Sequence, residues 1–345
     1  MKRILILFFL VNSGCQLFEK DKTTDVVEET PLAKTPDFNA DSAFAFVKKQ
    51  VDFGPRTPNS AAHEKCAAWI VAEAKKYADT VYVQNYVATG FDGLKMKSTN
   101  IIASFNPHAT KRILLSAHWD TRPFADQDET EREKPIDGAN DAGSGVGVLL
   151  EVARQLHGYE PTFIGMETVK TGTADSLEIG VDIIFFDSED YGQPSDSKLP
   201  QKEDTYCLGS QYWASNIHVP NYKADFGINL DMVGAADAHF TREQFSVYNA
   251  DWVSQYVWGL AGRLGFGSLF LYDQTGGITD DHLYVMKGTK IPCVDIIDYD
   301  AQGFHESWHT HKDNIDIISK ATLLAVGKTV LQTIFQYQAE QKKIS

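Results

Sequence analysis

Cysteine is scarce: of 345 residues only Cys15, Cys66, Cys207 and Cys293 carry a thiol. Cys15 stands apart near the amino terminus and three remain, so at most one internal bridge can form and a disulfide-built scaffold is excluded. Basic charge is also in deficit, with 32 Lys and Arg against 47 Asp and Glu for a formal charge of −15. That balance disfavours a phosphate backbone or an anionic membrane surface as partner, and nucleic-acid binding is not expected. There is no internal repeat. What is present is a chain with 43% hydrophobic side chains, enough to bury one large core.

The first residues read as an address. Lys2 and Arg3 precede an apolar run from Ile4 to Val11, too short for a stable membrane span, and small residues lead to Cys15. Val11-Asn12-Ser13-Gly14-Cys15 resembles a bacterial lipoprotein signal, with Asn12 where leucine is usual. An ordinary cleaved signal peptide is the alternative, and both readings place the mature protein outside the cytoplasm. From Glu19 to about Ala40 the chain is rich in Thr, Asp, Glu, Lys and Pro without apolar periodicity, so ordering it would not be repaid by burial. The expected organisation is a signal over 1–15, a flexible tether over 16–40 and one globular domain over 41–345. The protein is expected to be a periplasmic or cell-envelope lipoprotein of a bacterium, attached to a membrane only by its lipid, and a monomer.

Within the domain, Asp41 is expected to cap a first helix and Ser60 a second that carries Ala61, Trp69, Ile70 and Ala74. Short β-branched runs at Val81 to Val87, Asn100 to Phe105 and Ile113 to Ala117 predict strands. A helix is expected from Ser144 to Leu156. Two wholly apolar runs, Val181 to Phe186 and Phe226 to Leu230, end abruptly in Asp187-Ser188-Glu189-Asp190 and in Asp231. Continuous apolar strands alternating with helices predict an α/β domain with a mixed, mainly parallel central sheet flanked by helices. In such sheets the chemistry sits beyond the carboxyl ends of the strands, where these acids fall.

Acids and histidines collect at these ends: His118 and Asp120, Asp141, Glu189 and Asp190, Asp231, and His309. Imidazole nitrogen and carboxylate oxygen suit zinc, and a catalytic zinc keeps three protein ligands and an open position. Asp141, Asp190 and His309 supply that set. Successive side chains on an extended segment diverge, so Glu189 is free to act as acid and base beside the metal. His118 could hold a second zinc with Asp141 bridging and Asp231 completing it, or could hydrogen-bond behind the first. The glycines of Gly138-Ala139-Asn140-Asp141-Ala142-Gly143-Ser144-Gly145-Val146-Gly147 do not have dinucleotide-binding spacing and follow no strand directly. Small residues there would let the Asp141 loop and the next helix approach the metal closely.

The ordered motifs His118-Trp119-Asp120, Gly138-Ala139-Asn140-Asp141, Phe185-Phe186-Asp187-Ser188-Glu189-Asp190, Asn229-Leu230-Asp231 and Trp308-His309-Thr310 resemble the zinc aminopeptidase family of exported metallopeptidases, from about Asp41 onward. Within it the chain resembles the glutaminyl cyclases of the animal-type fold, on Gly276-Gly277-Ile278-Thr279-Asp280-Asp281-His282 and on Phe304 and Trp308 before His309. The resemblance implies one zinc on Asp141, Asp190 and His309, although the animal enzymes carry glutamate at the second position. It further implies Glu189 as proton shuttle, Asp231 and Asp280 as its acidic partners, and Trp308, Phe304 and Ile278 as the wall around a substrate glutamine. The animal enzymes' disulfide beside the site is absent, since Ala117 and Ala142 stand there, and the charged insertion Phe124 to Lys134 removes no catalytic group. The implied substrates are peptides or proteins with an N-terminal glutamine. Two other readings remain: a dizinc aminopeptidase with Glu189 as base for water, and a binding domain that keeps the fold without the chemistry.

Overall fold

The structure, a computed structural model, describes residues 30–158, 162–164, 167–169 and 177–344. The signal and the first part of the expected tether lie outside the described residues. The strands are β1 (Thr80–Thr89), β2 (Lys95–Phe105), β3 (Arg112–His118), β4 (Thr162–Ile164), β5 (Glu167–Val169), β6 (Gly180–Phe186), β7 (Phe226–Asp231), β8 (Phe240–Glu243), β9 (Phe270–Thr275), β10 (Cys293–Ile297), β11 (Tyr299–Asp300) and β12 (Gly303–Phe304). The helices are α1 (Ala40–Val51), α2 (Ala61–Tyr77), α3 (Gly143–His157), α4 (Leu208–Ser215), α5 (Gln244–Arg263), α6 (Asp281–Thr289) and α7 (Lys320–Ile344).

Six strands form the central sheet in the order β1, β2, β6, β3, β7, β10. The first two pairings are antiparallel, and those joining β6, β3, β7 and β10 are parallel. Every residue of β3, β6 and β7 is buried, which is what a parallel sheet covered on both faces requires of its side chains. Helices α1, α3 and α7 pack on one another, α4 on α6, and α5 on β10. The α/β architecture expected from the alternating runs is the one observed.

Details of the boundaries differ. Helix α1 begins before Asp41 and is capped by Asn39, whose side chain accepts from the Ser42 amide, while Asp41 sits in the first turn. There its charge complements the helix dipole instead of closing the end. Ser60 caps α2 by accepting from the His63 amide. Strands β1 and β2 run longer than their apolar runs, because their antiparallel register continues from Thr80 opposite Ser104 to Thr89 opposite Lys95. The folded body starts at Ala33, within the stretch read as tether. The Ala33 amide donates to Gln336 Oε1 at 2.8 Å and Phe38 is 5% exposed, packed where a Cβ on Gly327 would stand. A single phenylalanine in a polar stretch is too little periodicity to reveal this packing from sequence. Cys66, Cys207 and Cys293 are buried free thiols, and Trp119 and Trp213 are fully buried core residues.

Candidate active site

The ends of four parallel strands open into one pocket. Strand β3 ends in His118, the turn Asp187 to Asp190 follows β6, β7 ends in Asp231, and β10 leads into the chain that returns through β11 and β12 to Trp308 and His309. Ser188, Met232 and His309 each adopt a left-handed backbone, with φ of 59°, 49° and 55°. Side chains other than glycine rarely adopt it, and such residues gather where a fold aims functional groups. Here the bends fall at Glu189, Asp231 and His309 themselves or next to them.

Asp141 is placed by the loop before α3. Asp313 accepts the amides of Asn140 and Asp141 at 2.7 and 3.1 Å, and Ser144 Oγ donates to the Asn140 carbonyl at 2.6 Å. Buried Arg56 donates to the Gly138 carbonyl at 2.7 Å. Two glycines permit the approach: Gly138 has φ +60° and a Cβ there would meet Thr121 Cγ2 at 2.3 Å, and a Cβ on Gly145 would meet the Leu230 carbonyl oxygen at 2.5 Å.

His309 Nε2 lies 3.3 Å from Asp190 Oδ1 and 3.8 Å from Asp141 Oδ2. On the other side of Asp141, His118 Nε2 lies 3.0 Å from Asp141 Oδ1 and 3.4 Å from Asp231 Oδ1. Asp141, Asp190 and His309 therefore form one buried donor set, and His118, Asp141 and Asp231 a second that shares Asp141. His118 Nε2, Asp190 Oδ2 and Asp231 Oδ1 are buried and have no hydrogen-bond partner among the described residues. Converging buried donors left without partners fit a metal cation, whose coordination would satisfy them.

Glu189 stands between these donors and a second acid cluster. Its carboxylate, the Cys207 thiol and the Asp280 carboxylate lie within 4.8 Å of one another, with Cys207 Sγ donating to Glu189 Oε1 at 3.1 Å. Asp280 caps α6 and accepts from Asn229 Nδ2 at 2.8 Å. The neighbours Glu189 and Asp190 are shifted in opposite directions. Burial holds Glu189 well above the usual carboxylate range, aided by Asp190, Asp281 and Asp231 and opposed by His118. At Asp190 the same burial is overcome by His309 and Arg122, so its carboxyl stays below its ordinary value. Asp231 is pushed up to about 7 by burial and by Asp141, and Asp280 lies well above its ordinary value through burial, Asp295, Asp231, Asp281 and Glu189.

The pocket is lined by members of both clusters and by Tyr206, Met232, Ile278, Ile297, Phe304 and Trp308. Trp308 stacks on Phe304 at 4.3 Å and on His309 at 3.8 Å. Both aromatics pack with Met232, Ile278 and Ile297 in a cluster separate from the main core. Every residue singled out from sequence as donor, acid or pocket wall reaches this one region. Sequence reading missed Arg122, Asp126, Asp313 and Cys207, which support the site from behind, and Tyr206 on its wall. Arg122 and Asp126 sit four apart in a charged stretch, and nothing in such a stretch separates a buried pair from a solvated one.

The family model of peptidase family M28 matches residues 100–334. The glutaminyl cyclase of Tannerella forsythia is 48% identical, with a TM-score of 0.79 over 87% of this chain and 99% of that one. A Zn-dependent exopeptidase from Parabacteroides distasonis is also 48% identical, with a TM-score of 0.81 over 88% of this chain and 99% of that one. The glutaminyl-peptide cyclotransferase of Bos taurus is 25% identical over 69% of this chain and 66% of its own length.

Proposed function

This chain belongs to peptidase family M28, and from that premise we propose that it is a zinc-dependent glutaminyl-peptide cyclotransferase, closing the N-terminal glutamine of a peptide or protein to pyroglutamate with loss of ammonia. One observation carries the reading: across a single pocket, an aromatic wall of Trp308 stacked on Phe304 faces the buried acids Glu189, Asp280 and Asp231. The likeness to the Tannerella forsythia and Bos taurus enzymes supports it.

In the reaction the neutral α-amine attacks its own γ-amide carbon, an N–C bond forms, the bond to the amide nitrogen breaks, and ammonia leaves. One proton must pass from the attacking to the leaving nitrogen. Glu189 takes it and returns it, a task that fits a carboxylate whose proton affinity burial holds well above the ordinary range. Asp280 and Asp231, crowded against it, resist joint ionisation and so keep a proton within the cluster. Trp308, Phe304 and Ile278 hold the folded-back side chain and exclude water, which contributes by positioning. Zinc held by Asp141, Asp190 and His309 would supply a Lewis acid for the γ-carbonyl oxygen.

Incubation with a glutaminyl and a leucyl peptide tests the proposal: ammonia should appear from the first, and free leucine from the second would overturn it. The second reading, a dizinc aminopeptidase, is favoured by the His118, Asp141 and Asp231 donor set and by the likeness to the exopeptidase. Two tightly bound zincs, both needed for turnover, would support it; one supports the cyclase.

We also propose that the protein is exported and held at a membrane by lipid on Cys15, acting as a monomer. Among the described residues no helix is long and apolar enough to cross a membrane, and the pocket lies wholly within the body that begins at Ala33. Cys15→Ser should release the protein from the membrane fraction with its turnover intact, and an unmodified mature terminus beyond Cys15 by mass spectrometry would refute the anchor.

A further inference from the structure

We infer that Arg122 and Asp126, in the loop after β3, form a brace that positions two of the metal donors, making Asp141, Asp190 and His309 the tighter of the two sets. The inference rests on that donor set and not on cyclisation, so it holds equally for a peptidase.

The brace is a short chain of contacts through the buried side chain of Arg122. Arg122 Nε donates to Asp126 Oδ1 at 2.5 Å, and Nη1 donates to the Asp190 carbonyl at 2.9 Å and to Asp190 Oδ1 at 3.2 Å. The same Asp126 oxygen lies 3.1 Å from His309 Nδ1. One guanidinium thus grips Asp190, and its carboxylate partner faces the other ligand. Phe124 and Tyr206 flank the guanidinium, with its carbon 4.7 and 5.4 Å from their ring centres, which keeps it dry and in plane. The backbone joins in: the Gln127 amide donates to the His309 carbonyl at 3.2 Å, tying down a residue in the left-handed region.

The chemical consequence follows from which ring nitrogen is occupied. A carboxylate 3.1 Å from Nδ1, though outside hydrogen-bond geometry, favours the proton on that nitrogen and leaves the Nε2 lone pair aimed at Asp190 and Asp141, where a metal would sit. The carboxylate behind His118 stands farther off. Its Nδ1 is 3.5 Å from Asp120 Oδ1, and the Asp120 oxygens already accept the amides of Glu189 and Asp190 at 3.0 and 3.2 Å.

Zinc affinity, read by competition against a chromophoric chelator, tests the brace on the parent protein and on Asp126→Asn, Asp126→Ala and Asp128→Asn. The unfolding midpoint of each metal-free protein is measured alongside. Asp128 is the control, because it holds the same loop by accepting the His311 amide at 2.9 Å but touches no donor. Both Asp126 variants should bind the tight zinc about 10- to 100-fold more weakly with metal-free midpoints close to the parent's, and Asp128→Asn should keep the parental affinity. Nitrogen NMR of the zinc-loaded parent should show the His309 proton on Nδ1. If Asp126→Ala does not fold, the isosteric Asp126→Asn carries the test. Parental affinity in the Asp126 variants, or an equal loss in Asp128→Asn, would overturn the brace; a parent that binds no zinc would overturn the donor set as well.

Discussion

Two adjacent carboxylates, Glu189 and Asp190, are pushed in opposite directions by surroundings that differ within one residue. Asp190 faces His309 and Arg122, and Glu189 faces Cys207 and Asp280. Glu189→Gln should therefore keep zinc and fold while turnover drops by about two to four orders of magnitude, the scale of a positioned acid–base group. Asp190→Asn should weaken zinc binding, because a neutral amide is a poorer ligand. Metal analysis beside steady-state rates on both variants checks this, and zinc loss in Glu189→Gln would sink the division of roles.

At the scale of elements, α3 matters because of how closely its first turn approaches β7. Gly145→Ala would put a methyl group 2.5 Å from the backbone oxygen of Leu230, so helix or strand must shift, and with it Asp141 or Asp231. A loss of about 1–3 kcal/mol is expected in urea unfolding, the range for overpacking a rigid interior. Gly259, inside α5, is the opposite case: its added Cβ would meet only Tyr272 Oη at 3.6 Å. Gly259→Ala should stabilise by about 0.5–1 kcal/mol, since the unfolded chain loses freedom at no steric cost. Equal effects from the two changes would contradict the packing described for α3.

For the whole molecule, His282 ties together three elements behind the pocket. Its ring nitrogens lie 3.1 Å from Glu243 at the end of β8 and 3.3 Å from Asp295 in β10. Burial disfavours the imidazolium, but Asp295 and Glu243 outweigh it and raise the His282 value from 6.5 to about 10. Glu243, despite burial, is lowered from 4.5 to about 2 by His282, by hydrogen bonding to Ser246 and by the Phe245 amide. The stability contributed by the raised His282 is fully present below 6.5 and lost as pH climbs through about 10. That from the lowered Glu243 is present above 4.5 and lost as pH falls through about 2. The stability gap between parent and His282→Gln should accordingly shrink from pH 6.5 to pH 10 in denaturant titrations. A gap that widens over that window would contradict an imidazolium held between two carboxylates.

The sequence by itself determined the layer architecture and the donor types. Period and length separate buried strands from helices, and a strand that ends in acids in an α/β domain has one edge at which those acids can gather. It therefore indicated His118, Asp141, Glu189, Asp190, Asp231 and His309, and the resemblance added Asp280 and the aromatic wall. Tertiary structure alone decided the rest. Phe38 sits in a polar stretch but packs against α7, and Asn39 caps α1 because of where the chain enters. Arg122 and Asp126 look solvated in a run of charge, yet folding buries them against Asp190 and His309. Local pattern reports what a residue prefers near its neighbours in the chain. Burial of a charge, the partner that compensates it and the side of a ring that carries a proton depend on segments far away in sequence, and only the folded chain brings those together.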